Sequence, residues 1–200
     1  MKTALNTISL AESIIFLETL VRTDSTFRQR ANGIRNQTMV LLMLDAGLRI
    51  GETVSLYRSD LLHMGTPAQN LLVRAETSKS HRERVIPLSI RIQANIILMQ
   101  ETLWSKLIVT TDGLAFYADN PQSHITARTV QRIVEAASFQ AFGRTIHPHV
   151  LRHTFASRLM RTTNIRIVQQ LLGHKSIQST QIYTHPNHDD LTNAIQSLGD

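Results

Sequence analysis

The chain has 200 residues and no cysteine, with 42% hydrophobic residues and 21 Lys+Arg against 15 Asp+Glu, a formal net charge of +6. That length and apolar content suit one globular domain and exclude wholesale disorder; without cysteine there is neither a disulfide framework nor a cysteine-based zinc site. The longest apolar run, Met39-Val40-Leu41-Leu42-Met43-Leu44, is far short of the roughly 20 residues a membrane helix needs, and Glu12 and Glu18 interrupt the early apolar stretch as they would not in a signal peptide. The expectation is a soluble, cytoplasmic protein with no membrane association.

Apolar residues recur at helical spacing over residues 9–21, through Leu10, Ile14, Leu17 and Leu20. A second helix is predicted over residues 27–46, stopping at Gly47, which suits a C-cap, and a short one over residues 50–57. The pattern then changes to short β runs, Leu71-Leu72-Val73 and Arg84-Val85-Ile86-Pro87. The polar stretch from Glu76 to Glu83 between them reads as a long, basic hairpin connection. Helices resume over residues 89–104, 126–142, 148–161 and 165–172, residues 112–123 read as a loop, and a last amphipathic stretch covers residues 191–198. The fold class expected is mainly α with a small antiparallel β-sheet (α+β).

The charge is unevenly placed. Residues 1–60 hold seven Lys/Arg and six Asp/Glu, residues 61–188 hold fourteen against six, and the last twelve residues add Asp189, Asp190 and Asp200. Only Lys2, Lys79, Lys106 and Lys175 are lysines, and arginine's planar fork suits phosphate and base edges better than a point charge does. A basic middle points to a polyanionic partner, nucleic acid first.

Three clusters could carry chemistry. In His147-Pro148-His149-Val150-Leu151-Arg152-His153-Thr154-Phe155-Ala156-Ser157, His149, Arg152 and His153 share one helix face, a guanidinium beside imidazoles, which suits binding and protonating a phosphate. The plainer reading is a helix N-terminus with hydrogen-bonded histidines and a solvated arginine. In Leu171-Leu172-Gly173-His174-Lys175-Ser176, Gly173 suits a helix end, and Tyr183 follows nine residues after His174. A tyrosine is a poor nucleophile at its reference pKa near 10 and needs a base or cations beside it; alone, flanked by Ile182 and Thr184, it reads far more readily as a half-buried packing residue. In Gly47-Leu48-Arg49-Ile50-Gly51-Glu52 an arginine opens a helix with a carboxylate three residues on, which could be no more than a capping pair worth a few tenths of a kcal/mol. There is no Gly-rich phosphate loop and no His-Glu-x-x-His, and His185 and His188 lack a convincing third metal ligand.

Taken in order, Gly-Leu-Arg-Ile-Gly-Glu, a lysine in a β-hairpin, His149-x-x-Arg152-His153, Leu172-Gly173-His174 and Tyr183 resemble the tyrosine recombinase (phage integrase) family, over nearly all of the chain from about Leu10 to Tyr183. The resemblance implies the family's catalytic-domain fold and DNA cleavage and rejoining through a 3′-phosphotyrosyl intermediate, with no metal or nucleotide cofactor. Arg49 and Arg152 would clamp the scissile phosphate, His149 and His174 would hydrogen-bond it, and His149 could also accept the tyrosine proton. Lys79 would be the general acid toward the departing 5′ oxygen, with Arg82 and Arg84 as runners-up, and Tyr183 the nucleophile. Glu52 and His153 would support these groups from behind, and Arg82, Arg84, Arg128, Arg132 and Lys175 would contact DNA.

The implied partner is double-stranded DNA, with a homotetramer in the synaptic complex, a monomer free in solution, and a bacterial, phage or plasmid origin. The implied activity is site-specific recombination; the alternatives are type IB topoisomerase-like relaxation and a non-catalytic DNA-binding regulator on the same fold. Family members commonly carry an N-terminal helical domain that closes a clamp around DNA. Here the pattern begins almost at Met1, so the expectation is a single catalytic domain over residues 1–200, either a naturally short member or part of a longer protein, with residues 184–200 packing on a neighbouring protomer or on their own domain.

Overall fold

The structure, a computed structural model, describes residues 6–21, 26–78, 82–105, 113–118, 120–174, 176, 178–181 and 183. Helix α1 (Leu10–Leu20) opens with a capping box: Ser9 accepts from the Glu12 N–H and Glu12 accepts from the Ser9 N–H, so two otherwise orphaned donors are satisfied. Helix α2 (Phe27–Asp45) starts the same way at Thr26 and Gln29. The apolar run from Met39 to Leu44 is buried on every side, because α2 is the central helix, packed against α1 and against the later helices Ile90–Met99 and Pro148–Met160.

Beyond α2 come α3 (Ile50–Val54) and α4 (Arg58–Leu61), then a small hairpin of β1 (Leu62–His63) and β2 (Thr66–Pro67). Strands β3 (Asn70–Val73) and β4 (Arg84–Pro87) pair antiparallel with Leu71 opposite Ile86 and Leu72 opposite Val85. Leu71, Val73, Arg84 and Ile86 face inward and their neighbours outward, the period-two pattern of a half-buried sheet. Two small antiparallel ladders therefore stand where the sequence suggested one; β1 and β2 are two residues each, too short to leave a periodic signal.

Helix α5 (Ile90–Met99) widens into a π-helical turn, Gln100–Trp104. The Trp104 indole N–H donates to the Ala115 carbonyl, Arg35 Nη1 donates to the Tyr117 carbonyl and the Tyr117 hydroxyl donates to the Leu103 carbonyl. The described part of the expected loop is thus tied to the core, with Ala115 and Phe116 wholly buried. Helices α6 (Ala127–Phe142), α7 (Pro148–Met160), α8 (Ile165–Leu172) and α9 (Gln178–Gln181) follow. The predicted stretch at residues 191–198 lies outside the described residues. Among the described residues no helix is long and apolar enough to cross a membrane.

Two glycines end helices where site residues begin. Gly47 follows α2 at φ +65°, and Gly173 follows α8 at φ +62°, with the His174 N–H returning to the Gln169 carbonyl as in a Schellman end. A Cβ on Gly47 would lie 2.4 Å from Cδ1 of Phe155. Gly47→Ala should therefore lose roughly 2–4 kcal/mol, combining left-handed strain with a clash against a buried ring; a denaturant titration checks this, and a stability unchanged from wild type would refute it.

Candidate active site

The site forms where the end of α2, the start of α3, strand β4 and helices α7 and α8 converge. Glu52, on the first turn of α3, reaches back to the Arg49 N–H at 2.8 Å and takes the Arg49 guanidinium at 2.9 Å. Arg84 reaches the same carboxylate from β4 with a bidentate pair, 3.0 Å from Nη1 to Oε1 and 2.7 Å from Nη2 to Oε2. Arg152 Nη1, from α7, stands 4.0 Å from Glu52 Oε2. Burial pushes the Glu52 pKa up, but the hydrogen bonds and charge of Arg84, with those of Arg49, outweigh it and hold the carboxyl below its ordinary value.

Both buried arginines also satisfy backbone carbonyls. Arg84 Nε donates to the Leu171 carbonyl at 2.9 Å, and Arg152 Nη2 donates to the Leu172 carbonyl at 2.6 Å. These belong to the last turn of α8, whose carbonyls have no partner within the helix and favour a cation. Arg152 Nη1 donates as well to the carbonyl of Gly47. Burial and then the neighbouring Arg49 push the Arg152 pKa down to about 9, which leaves it charged at neutral pH.

Arg152 is 4% exposed, while Arg49 is more open; with His149, Pro148, Leu48 and Ile50 they line one shallow cleft. His149 stands exposed at the mouth. His174, just past α8, bonds through Nδ1 to Thr180 Oγ1 at 3.0 Å. Burial first, then the charge of Arg152, lowers its pKa to about 4, so it is neutral at pH 7. Tyr183 is 8% exposed and packs with Phe155, Ala156, Val168 and Leu172. Its hydroxyl lies 2.6 Å from Nδ1 of His153.

The structure thus brings Arg49, Glu52, His149, Arg152, His153, His174 and Tyr183 to one region. Lys79 and Lys175 lie outside the described residues. Arg82, Arg128 and Arg132 are exposed. Arg84 is a correction: expected as a DNA contact and a stand-in for the lysine, it is buried, 3% exposed in its side chain, against Glu52 and the end of α8. The inward alternation of β3 and β4 carries the reason, since Arg84 shares a face with Ile86. The residue bonded to the tyrosine hydroxyl is His153, one helical turn further along α7 than His149, the candidate proton acceptor. Among the described residues no cluster of three or more His, Asp or Glu is placed to hold a metal.

The sequence profile of the Phage integrase family matches residues 17–189. The chain belongs to the phage integrase family. Among curated relatives, the tyrosine recombinase XerC of Psychromonas ingrahamii is 34% identical over 164 residues, 80% of this chain and 51% of its own length. The tyrosine recombinase XerD of Staphylococcus epidermidis is 31% identical over 157 residues, 77% of this chain and 51% of its own. The integrase-family chain described here therefore spans about half the length of the curated relatives it matches. Among solved structures, XerA recombinase superposes with a TM-score of 0.75 at 25% identity, over 96% of this chain and 64% of that one. XerH bound to its difH substrate in a pre-cleavage complex gives 0.75 at 23% identity, over 100% of this chain and 56% of that one, a likeness of fold.

Glu52→Gln should cost this family member roughly 3–5 kcal/mol, because it strands buried guanidinium charge without its counterion. The sign with pH follows from the lowered carboxyl pKa. Glu52 contributes its full stability above the ordinary carboxylate range and loses it as pH falls through its lowered pKa. Denaturant titrations across acid pH should therefore show the gap between wild type and Glu52→Gln narrowing on acidification; a constant gap would contradict the pairing.

Proposed function

We propose that this chain is the catalytic part of a site-specific DNA recombinase that cleaves and rejoins duplex DNA through a 3′-phosphotyrosyl intermediate formed on Tyr183. One observation carries the reading: two guanidinium groups in excess of Glu52, the single buried carboxylate among the described residues, flank a cleft, beside a tyrosine. Glu52 neutralises Arg84 bidentately, which leaves Arg49 and Arg152 as charge that only an anion can balance. Burying such an excess is costly, and a phosphodiester is an anion of the right shape for the guanidinium fork. The kinship with tyrosine recombinases XerC and XerD, and the fold shared with XerH in its DNA complex, support the same reading.

The chemistry follows from charge. Attack on the phosphodiester raises its charge from about −1 toward −2, and fixed donors in a partly dehydrated site stabilise that increment. Arg49 and Arg152 are the clamp, with His149 at the cleft mouth and neutral His174 as further donors. Lys79 is proposed as the acid that protonates the departing 5′ oxygen. The bond energy is retained in the phosphotyrosine, so a 5′ hydroxyl of the same or a partner strand can reverse the step. Strand exchange would join four copies of the chain on two duplexes, with Arg82, Arg128, Arg132 and Lys175 contacting DNA.

The test is a pool of randomised, nicked suicide duplexes from which the protein-bound fraction is taken. Wild type should form a covalent protein–DNA adduct, lost in Tyr183→Phe. Arg49→Ala and Arg152→Ala should each lower the adduct rate by roughly 10²–10³ while retaining most non-specific binding. Binding should weaken steeply with salt through counterion release. A wild-type protein that binds the pool and yields no adduct would refute the reading.

A further inference from the structure

Tyr183 poses a problem that the arginines do not solve. Burial pushes its pKa up, and the charges of Arg152 and Arg49 offset that only in part. At neutral pH it is a protonated phenol, and a phenol becomes a competent nucleophile when a base takes its proton. The hydroxyl is bound by one described side chain of suitable chemistry: Nδ1 of His153 at 2.6 Å, with the two rings 5.6 Å apart and tilted by 49°. A general base must stand within about 2.6–3.2 Å of the proton's heavy atom, and His153 meets that in the resting site. His149 lies elsewhere, exposed and lining the arginine cleft, its ring 6.4 Å from that of His153.

We propose that His153 is a catalytic residue of this site, the base that accepts the Tyr183 proton as the phosphotyrosine forms; this rests on the recombinase reading above. His153 follows Arg152 directly on α7, so one turn of helix holds the phosphate clamp and the base in fixed relation. Burial first, then His149 and Arg152, lower the His153 pKa, so the ring is neutral at pH 7. A neutral imidazole has one protonated nitrogen and one acceptor. Nδ1 accepting from the Tyr183 O–H places the ring proton on Nε2.

In the cleavage step the Oη–phosphorus bond forms, the phosphorus–O5′ bond breaks, and the phenolic proton passes from Oη to Nδ1. The departing O5′ takes its proton from the acid side of the site, the role proposed for Lys79, or from water. Religation runs the same transfers backwards: the 5′ hydroxyl gives up its proton on that side, and Tyr183 reclaims one from the His153 imidazolium. Among the described residues, the charged and titratable groups facing His153 are His149 and Arg152 from its own helix, His174 from the end of α8, and Tyr183 beyond α9. Arg152 and the neighbouring imidazoles resist protonation of His153 at rest. The anionic transition state offsets that resistance during the step.

The experiment measures single-turnover adduct formation by the full 200-residue chain on the nicked duplex pool, from about pH 5 to 9, with His153→Ala and His153→Gln. The wild-type rate should be level near neutral pH and above, and fall as pH drops through the lowered His153 pKa, because protonation removes the base. Both variants should be about 10²-fold slower at pH 7 with DNA binding intact, their rates climbing with pH as hydroxide takes over. Added imidazole should restore part of the His153→Ala rate. Gln keeps a hydrogen-bond acceptor for the phenol but cannot take its proton, so His153→Gln answers the question even if His153→Ala fails to fold. A loss equal at every pH and untouched by imidazole would make His153 a packing residue and overturn the proposal. So would variants as fast as, or faster than, wild type. Absence of adduct with wild type itself would instead overturn the recombinase reading, which the Tyr183→Phe control keeps separate.

Discussion

One carboxylate organises this molecule. Glu52 is almost wholly buried, and it gathers Arg49 from its own helix, Arg84 from a distant strand and Arg152 at longer range from α7. A buried charge is tolerated only when paired and hydrogen-bonded, so this residue requires β4, α3 and α7 to arrive together. The last turn of α8 joins the same node through the Leu171 and Leu172 carbonyls. The parts of the site are therefore not independent: moving β4 would release Arg84, uncover Glu52 and loosen the hold on Arg49.

The node is deliberately unbalanced. Arg84 uses both carboxylate oxygens with short, charge-assisted bonds, which makes it the structural counterion. Arg49 shares one oxygen and keeps part of its guanidinium toward the cleft. Arg152 is held chiefly by neutral carbonyls, which orient it without cancelling its charge. Neutral histidines complete the surroundings: His174 is kept uncharged by burial and the arginines, and His153 likewise. The result sets guanidinium groups that are charged at neutral pH beside uncharged imidazoles, on helical neighbours Arg152 and His153.

Much of this was legible in the residue order, and the exceptions have physical causes. The long helices announced themselves through apolar spacing and caps: Gly47 and Gly173 do end α2 and α8, and the apolar run of α2 is the core. The hairpin of β1 and β2 and the short α4 and α9 were not legible, since segments of two to four residues carry no period, and the predicted helix over residues 89–104 gave no sign of its last turn widening to π geometry. Residues 112–123 read as a loop, yet their described part is anchored by Trp104 from the preceding π-helical turn and by Arg35, which lies 82 residues before Tyr117. Arg84 looked like one more basic residue for DNA, and only its inward register reveals a buried counterion.

The sequence by itself determined the inventory: a mainly helical, basic chain with Arg49, His149, Arg152, His174 and Tyr183 in an order and spacing that mark the phage integrase family. Local chemistry sufficed for that, because helix periodicity, glycine caps and motif spacing are all short-range properties. Tertiary structure decided the pairing of those residues. Which arginine Glu52 neutralises and which histidine meets the Tyr183 hydroxyl depend on how β4, α7, α8 and α9 pack, over sequence separations of 32 residues for Arg84 and Glu52 and 30 for His153 and Tyr183. Charge and hydrogen bonding act through space, so the +6 of the composition becomes a site only when the fold sets each cation against its own partner.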